Sequence, residues 1–406
     1  MRSTALCFSA LGLLAGSLPA CRSTTAPTEP PSQTVRVEAV PGPAGLAVAQ
    51  QRLTEREPWT EFPPLLTPVH PAQKYLKGWA IVIDPGHGGH ADKAGYKRGP
   101  AGVREAEINW RVSVLLKQML DDAGAQVVLT RDGDEAISLQ DRAEVANRLE
   151  RARDGEIGAD LFLSVHHNLS PKPTTNWTSM WFHDDPNASE VGIDAGRYIA
   201  HRVGEALRTQ VGLTSPLMTD RQMYDGGFGI LRFAEVPAVL AELSFYSHPE
   251  EEQRLRDAEY NLRCAHAIYV GLCEYAYGGR PTQTTPAVTE SAAGDALSFR
   301  TVLADGMPTG WWGGDRTRIL RDSIAVTFDG RDVPIRFDPV TRELAFDLPA
   351  DKLDAADTHV VKLRHCNFFK HANWPQRYSL TRDGDTWAWL TLPAKRLQTD
   401  AKAGGS

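Results

Sequence analysis

The chain has 406 residues, enough for about two to three domains. Its 44 Lys and Arg stand against 51 Asp and Glu, a net charge of −7, so it lacks the chain-wide basic field that binding a phosphate backbone needs; no nucleic-acid partner is expected. Hydrophobic residues at 42% and charged residues at 23% describe a core-forming chain rather than a disordered one. A single apolar stretch of near-membrane length, at the extreme N-terminus, excludes a multi-span membrane protein.

That first stretch reads as an address. Arg2 precedes an apolar run from Ala5 to Gly16, and Leu18-Pro19-Ala20 leads into Cys21. One positive charge, a short apolar core and a small residue before a cysteine describe a secretory signal rather than a spanning helix. Residues 1–21 resemble a bacterial lipobox segment, which implies export to the periplasm or cell envelope with Cys21 lipidated as a membrane anchor. Of the other cysteines, Cys7 leaves with the signal. Cys264 and Cys273 lie too far apart along one expected helix to be bridged. With Cys366 they read as buried thiols, not a disulfide framework.

Residues 22–75 hold ten of the 27 prolines among Ser, Thr, Gln and Glu, an extended tether whose end, around Trp59, Phe62, Leu65 and Leu66, is placed to pack on the next domain. Order is expected over 76–278. Trp79 to Asp84 is a continuous apolar strand stopped by Pro85-Gly86. Ile108, Val112, Leu115, Leu116, Met119 and Ala123 recur at helical spacing up to Gly124. Strands follow at 127–130, 161–165, 180–182 and 237–242, and helices at 139–149, 191–211 and 258–277. This alternation predicts an α/β domain, a mostly parallel sheet with helices on both faces.

Residues 279–295, rich in Thr, Ser, Ala, Gly and Pro, read as a linker between two independent cores. Over 296–395 the period becomes two: 324–328, an Asp329-Gly330 turn, 333–337, 344–346, 359–363 and 387–390. Short strands at such spacing predict a small all-β sandwich, loosely similar to bacterial immunoglobulin-like modules, followed by a tail at 396–406. Trp311, Trp312 and Trp374 are either strand-end packing or a saccharide or protein contact.

Four polar residues converge where an α/β sheet binds ligands, three of them at the carboxyl ends of its strands. His87 follows the first strand, His166 ends the third, Glu242 ends the fifth, and Glu105 opens the helix entered from the first. Two imidazoles and a carboxylate with an open fourth position form the donor set of a catalytic zinc site. A second, unligated carboxylate then moves the proton from the attacking water to the leaving group. Singly, each residue has an ordinary reading: a hydrogen-bonded loop histidine, or a glutamate favouring a helix N-terminus. Glu242 resists it, since a carboxylate in an apolar strand is costly unless paired or metal-linked. Pro85-Gly86-His87-Gly88-Gly89 lacks both the Gly-Lys-Ser/Thr ending and the Gly-x-Gly-x-x-Gly spacing of nucleotide loops.

From Ala80 to about Tyr277 the sequence resembles the zinc-dependent N-acetylmuramoyl-L-alanine amidases of the bacterial cell wall, the type-3 family. The resemblance rests on Ile83 to Gly89, on Glu105 four residues before Asn109, on Leu129-Thr130-Arg131 and on Asp141-Arg142 with Ala146-Asn147. It rests also on Ser164-Val165-His166-His167-Asn168, on Leu231-Arg232 and on Pro237 to Phe245. It implies Zn²⁺ held by His87, Glu105 and His166, with His167 a bystander, Glu242 catalytic, and Arg232 and Asn168 touching substrate. Ser244 stands where the family usually has Gly, His248 where it often has Asn, and His167 where a small residue is usual. The stretch from Asn168 to Ala241 leaves no room for the long helical insertion that blocks the zinc in some members.

The resemblance implies hydrolysis of the amide between muramic acid and L-alanine in peptidoglycan, for wall remodelling or daughter-cell separation, with a protein activator as a further partner. A catalytically silent peptidoglycan-binding or adaptor protein is the alternative, and a zinc peptidase acting on stem peptides a third.

Overall fold

The computed structural model describes Phe62 and residues 65–185, 190–209, 216–291, 296–307, 318–349, 353, 358–383 and 386–392. Cys21, Trp59, Trp311, Trp312, most of the tether and the tail lie outside the described residues.

Six strands make the first sheet: β1 (Ala80–Pro85), β2 (Gln126–Leu129), β3 (Leu161–Asn168), β4 (Ser179–Phe182), β5 (Leu217–Thr219) and β6 (Ala238–Phe245), in the order β2-β1-β3-β6-β4-β5. Every pairing is parallel except β4 with β6. The sheet is therefore mixed but mostly parallel, as the alternation predicts. β1 is buried at all six positions, which is why it reads as an unbroken apolar run.

Alternate residues feed two cores. Ile81, Ile83, Leu163, Val239 and Ala241 pack beneath α1 (Glu105–Asp122), α3 (Val191–Leu207) and α6 (Ala258–Gly278). Val82, Phe162, Trp181 and Leu240 meet α2 (Leu139–Asn147) and the five-residue α4 (Gly229–Phe233) on the other face. Ser138 caps α2 by accepting the Asp141 N–H, and Asp257 caps α6 by accepting that of Glu259. α3 ends four residues short of its expected end because Arg208 turns left-handed (φ 51°). A further short helix, α5 (Pro249–Leu255), starts at Pro249 behind His248, which accepts the Glu251 N–H.

Packing begins before residue 76. Phe62 and Leu65 lie against the first core, and Ala72 and Leu76 of a 3-10 helix (Pro71–Leu76) are buried in it, whereas Leu66 is exposed. Cys264, Cys273 and Cys366 are buried free thiols.

The C-terminal region is all β. β10 (Ala325–Phe328), β11 (Arg331–Asp332), β14 (His359–Arg364), β15 (Arg377–Asp383) and β16 (Thr386–Leu392) form one antiparallel sheet, in the order β11-β10-β14-β15-β16. β7 (Thr282–Gln283), β8 (Ala287–Glu290), β9 (Ala296–Ala304), β12 (Ile335–Phe337) and β13 (Glu343–Pro349) form the other. Phe299 and Phe346 of the second sheet share a core with Val326, Leu363 and Tyr378 of the first. The Asp329-Gly330 turn closes the β10–β11 hairpin with both residues at positive φ (46° and 77°), the mirror-image turn that this dipeptide favours. One expectation changes: part of the stretch read as a linker is strand, because β7 and β8 both pair with β9.

The two regions are joined by polar contacts. Asn367 Nδ2 donates to Gly278 O at 2.8 Å, and the Ala372 N–H donates to Asp194 Oδ2 at 2.7 Å. His371 lies 2.7 Å from Gly279 O and 3.0 Å from the Tyr198 hydroxyl, and Arg364 pairs with Glu190 at 2.8 Å. Trp374 is half-buried against the first core, so its role here is packing at the junction.

Candidate metal centre

β1, β3 and β6 lie side by side, and their carboxyl ends deliver three of the four expected residues to one place. Where β1 ends, the chain turns through Gly86 into His87, which holds a left-handed φ of 59°. That conformation is uncommon for a residue with a side chain and must be held by its surroundings. Two buried guanidinium groups supply the hold. Arg142 donates to Pro85 O at 2.9 Å and His87 O at 2.5 Å, while Arg131 donates to Pro85 O at 2.8 Å and Gly86 O at 3.2 Å. Arg142 is itself paired with Asp84 at 2.8 Å. Burial works against the Asp84 charge, but Arg142, Thr130 and Ser164 outweigh it and keep its carboxyl below the usual range. Gly86 is required by its neighbour: a Cβ there would meet the His166 ring at 2.3 Å.

Glu105 is the first residue of α1, and its own N–H donates to Lys97 O at 3.0 Å. Its side chain is buried, with Oε1 3.1 Å from His87 Nε2 and 3.1 Å from His166 Nδ1. The two rings meet edge to face with centroids 4.8 Å apart. One ligand atom from each of the three residues lies within 4.8 Å of the others. Burial opposes the Glu105 charge, yet His87 and His166 hold its carboxyl well below the ordinary range. Burial lowers the His166 pKa and favours the neutral imidazole, the form that ligates metal.

Does this donor set fit a small divalent cation? Donors about 2.0–2.2 Å from a tetrahedral zinc ion are roughly 3.3–3.5 Å from one another, close to the 3.1 Å that separates Glu105 Oε1 from each imidazole nitrogen. Glu105 Oε2 is buried without a hydrogen bond, an orphaned acceptor that a cation would satisfy. The residues fit.

His167 is turned away from the cluster. Its Nδ1 lies 2.8 Å from Asn109 Oδ1, and burial lowers its pKa to about 3. Asn109 Nδ2 reaches Gly86 O at 3.2 Å and Glu105 Oε1 at 3.4 Å, so it ties loop and helix together. Glu242 on β6 is the register partner of His166 on β3 and of Ser179 on β4. It is buried, with Oε2 unpartnered; burial first, and the Glu105 charge second, push its carboxyl well above the ordinary range. Neighbouring carboxylates driven in opposite directions separate an ionised ligand from a proton carrier.

Asn168 and Arg232 are placed differently. Asn168 Oδ1 accepts the Leu169 N–H at 2.7 Å, and its carbonyl accepts the N–H of Tyr246. Arg232 is exposed on α4 over the Phe233 ring, with Nη1 3.4 Å from Gly226 O rather than bonded to the donors. Two residues without any motif signal stand close by. Lys97 Nζ is 3.8 Å from Glu105 Oε2, and Tyr246, fully buried, has its pKa raised by burial and by Glu105 and Glu242. A basic run at 93–98 is the only sequence trace of the first, and none marks the second.

Comparison with known proteins finds likeness over the α/β region. N-acetylmuramoyl-L-alanine amidase LytC of Bacillus subtilis is 30% identical over 199 residues, covering 49% of this chain and 36% of that protein. The Staphylococcus epidermidis protein named "Probable cell wall amidase LytH" is 28% identical over 200 residues, covering 49% of this chain and 59% of its own. The solved structure of N-acetylmuramoyl-L-alanine amidase AmiC2 of Nostoc punctiforme has 27% identity and a TM-score of 0.40, covering 49% of this chain and 97% of that one. The chain spans about half the length of the curated relatives it matches. The α/β region that carries the His87–Glu105–His166 cluster, residues 81–274, matches the N-acetylmuramoyl-L-alanine amidase family.

Proposed function

We propose that this protein is a zinc-dependent amidase that hydrolyses the bond between N-acetylmuramic acid and L-alanine in peptidoglycan. The observation that carries the reading is the convergence of His87, Glu105 and His166, beside Glu242, within a region that matches the amidase family. The bond cut is taken from the family; the donor chemistry supports metal-assisted hydrolysis.

In this reading His87, Glu105 and His166 hold Zn²⁺, which supplies Lewis acidity and a nucleophile at neutral pH. Arg142 and Arg131 keep His87 aimed by holding its loop through backbone carbonyls. Glu242 accepts the proton of the attacking water at its carboxylate and returns it to the departing nitrogen, a task suited to a carboxyl of raised proton affinity. Arg232 on α4 and Asn168 at the end of β3 are read as substrate contacts.

The remaining parts of the proposal rest on sequence features. The lipobox-like ending at Cys21 supports an exported, lipid-anchored protein of the periplasm or cell envelope. Among the described residues no helix is long and apolar enough to cross a membrane. The two-sheet C-terminal region is read as an immunoglobulin-like sandwich, a site for wall or for an activating protein.

Digestion of purified sacculi with zinc-loaded protein, followed by mass spectrometry, tests the activity. Free stem peptides beginning at L-alanine are the expected product. Cleavage inside the stem would identify a peptidase, and no release would favour a binding or adaptor role.

A further inference from the structure

The loop that enters the centre carries a charge pattern that neither metal binding nor proton transfer uses. His90-Ala91-Asp92-Lys93-Ala94-Gly95-Tyr96-Lys97-Arg98 holds three fixed cations and one acid in a chain whose net charge is −7. Arg98 is spent on the loop itself, donating to Ala91 O at 2.9 Å and Gly102 O at 3.1 Å. Glu252, buried on α5, accepts the N–H groups of Ala101 and Val103 and fixes the loop's far side. Lys97 is spent on no loop carbonyl; its head points to the centre. Its backbone holds a left-handed φ of 48° while its carbonyl accepts the Glu105 N–H, so its position is set by the helix start rather than by its own side chain. The side chain is 38% exposed, and Nζ stands 3.8 Å from Glu105 Oε2.

That contact joins Lys97 to a carboxylate assigned to the cation. Were Glu105 to hold a divalent ion, its negative charge would be shared with that ion and its hold on the Lys97 ammonium would weaken. A lysine head on a flexible four-carbon stem is a strongly hydrated point charge that would then be available to an anion. The same loop carries a second cation, Lys93, whose ammonium lies over the Tyr96 ring at 5.6 Å.

We infer that Lys97 is a specificity-determining residue, which meets a carboxylate of the substrate at the mouth of the metal centre and makes the site favour anionic stem peptides. The inference rests on the proposed amidase reading and deepens it, by naming the substrate chemistry selected. A charge-assisted bond to a carboxylate at a partly exposed rim corresponds to about tenfold in affinity.

The test uses the zinc-loaded full chain and two matched soluble probes, an N-acetylmuramoyl tripeptide as free acid and the same molecule with its carboxyl groups amidated. Wild-type protein should favour the free acid by about tenfold in kcat/KM, mostly through KM, with the preference fading as salt is raised. Lys97→Gln should erase the preference, Lys97→Arg should retain most of it, and zinc content should be unchanged in both. Binding of each probe to Glu242→Gln protein by calorimetry gives the same comparison without turnover. Equal handling of the two probes by wild type, or equal losses on both in Lys97→Gln, overturns the role of Lys97. Failure of wild type to cut either probe overturns instead the amidase reading.

Discussion

Glu242 sits directly beside His166 in the parallel β3–β6 pair, so the proposed proton carrier and the proposed metal-binding imidazole are fixed by one strand register. A shift of one residue would turn either side chain to the opposite face of the sheet. Glu242→Gln preserves shape at this position and removes only proton transfer. Zinc content and thermal midpoint should stay at wild-type values while turnover on sacculi falls by about 10²–10⁴. Glu105→Gln should lose zinc together with activity, because a neutral amide oxygen is the poorer ligand. If Glu242→Gln lost the metal and Glu105→Gln kept it, the two carboxylates would exchange roles.

The two adjacent histidines make a second test. His166 faces Glu105 and His167 faces Asn109. His166→Ala should abolish stoichiometric zinc binding; His167→Ala should retain the metal and lower stability, since it leaves Asn109 Oδ1 buried without its partner. Metal analysis after dialysis decides between them, and the reverse pattern would place the ligand at 167.

Gly86 and Arg142 govern the centre without touching a cation. Gly86→Ala introduces a Cβ into the His166 ring, so zinc affinity should fall sharply even where the fold survives. Arg142→Leu leaves Asp84 charged and buried, a change that typically costs about 3–5 kcal/mol. Its unfolding midpoint in urea should drop accordingly, and an unaltered midpoint would show that Asp84 finds another partner.

Much of the centre was legible because its residues sit at breaks in strong patterns: Pro85-Gly86 ends an apolar strand, and Glu242 interrupts one. The parallel core strands follow from the same patterning. β5, α4 and α5 have three, five and seven residues, too few for a period to declare itself. The supposed linker misled through its prolines, although Ala287-Val288-Thr289 has strand-forming character. Lys97 carries no motif; only the fold of its loop brings it to Glu105. The junction was hidden for a different reason, since Asn367 and His371 read as loop residues until α3 and α6 are placed beneath them.

That junction adds polar contacts between two separate hydrophobic cores. A chain ending at Gly278 loses the Asn367, Ala372 and Arg364 contacts and uncovers Tyr198 and Asp194. With net hydrogen bonds worth about 1 kcal/mol each, the thermal midpoint of the shortened chain should fall by about 5 °C or more. Equal midpoints would show that the two regions are energetically separate after all.

Asp160 supplies the pH dependence of the same junction. It is buried immediately before β3, accepts the Ala80 N–H at 2.8 Å, and pairs with Arg153 and with Arg280 at the entry to the β region. Burial works to raise its pKa, but Arg280, Arg153 and the Ala80 N–H outweigh burial and depress it strongly. A carboxyl whose folded pKa lies below its unfolded value of about 3.9 contributes its full stability above that value and loses it as pH falls further. The wild-type thermal midpoint should therefore decline steeply from about pH 4 downward. Asp160→Asn cannot ionise, so it should be less stable than wild type at pH 7 and show a shallower acid decline, the gap between the two curves narrowing as pH falls below about 4. Thermal scans of both proteins across that range provide the measurement, and parallel curves would remove Asp160 from the acid response.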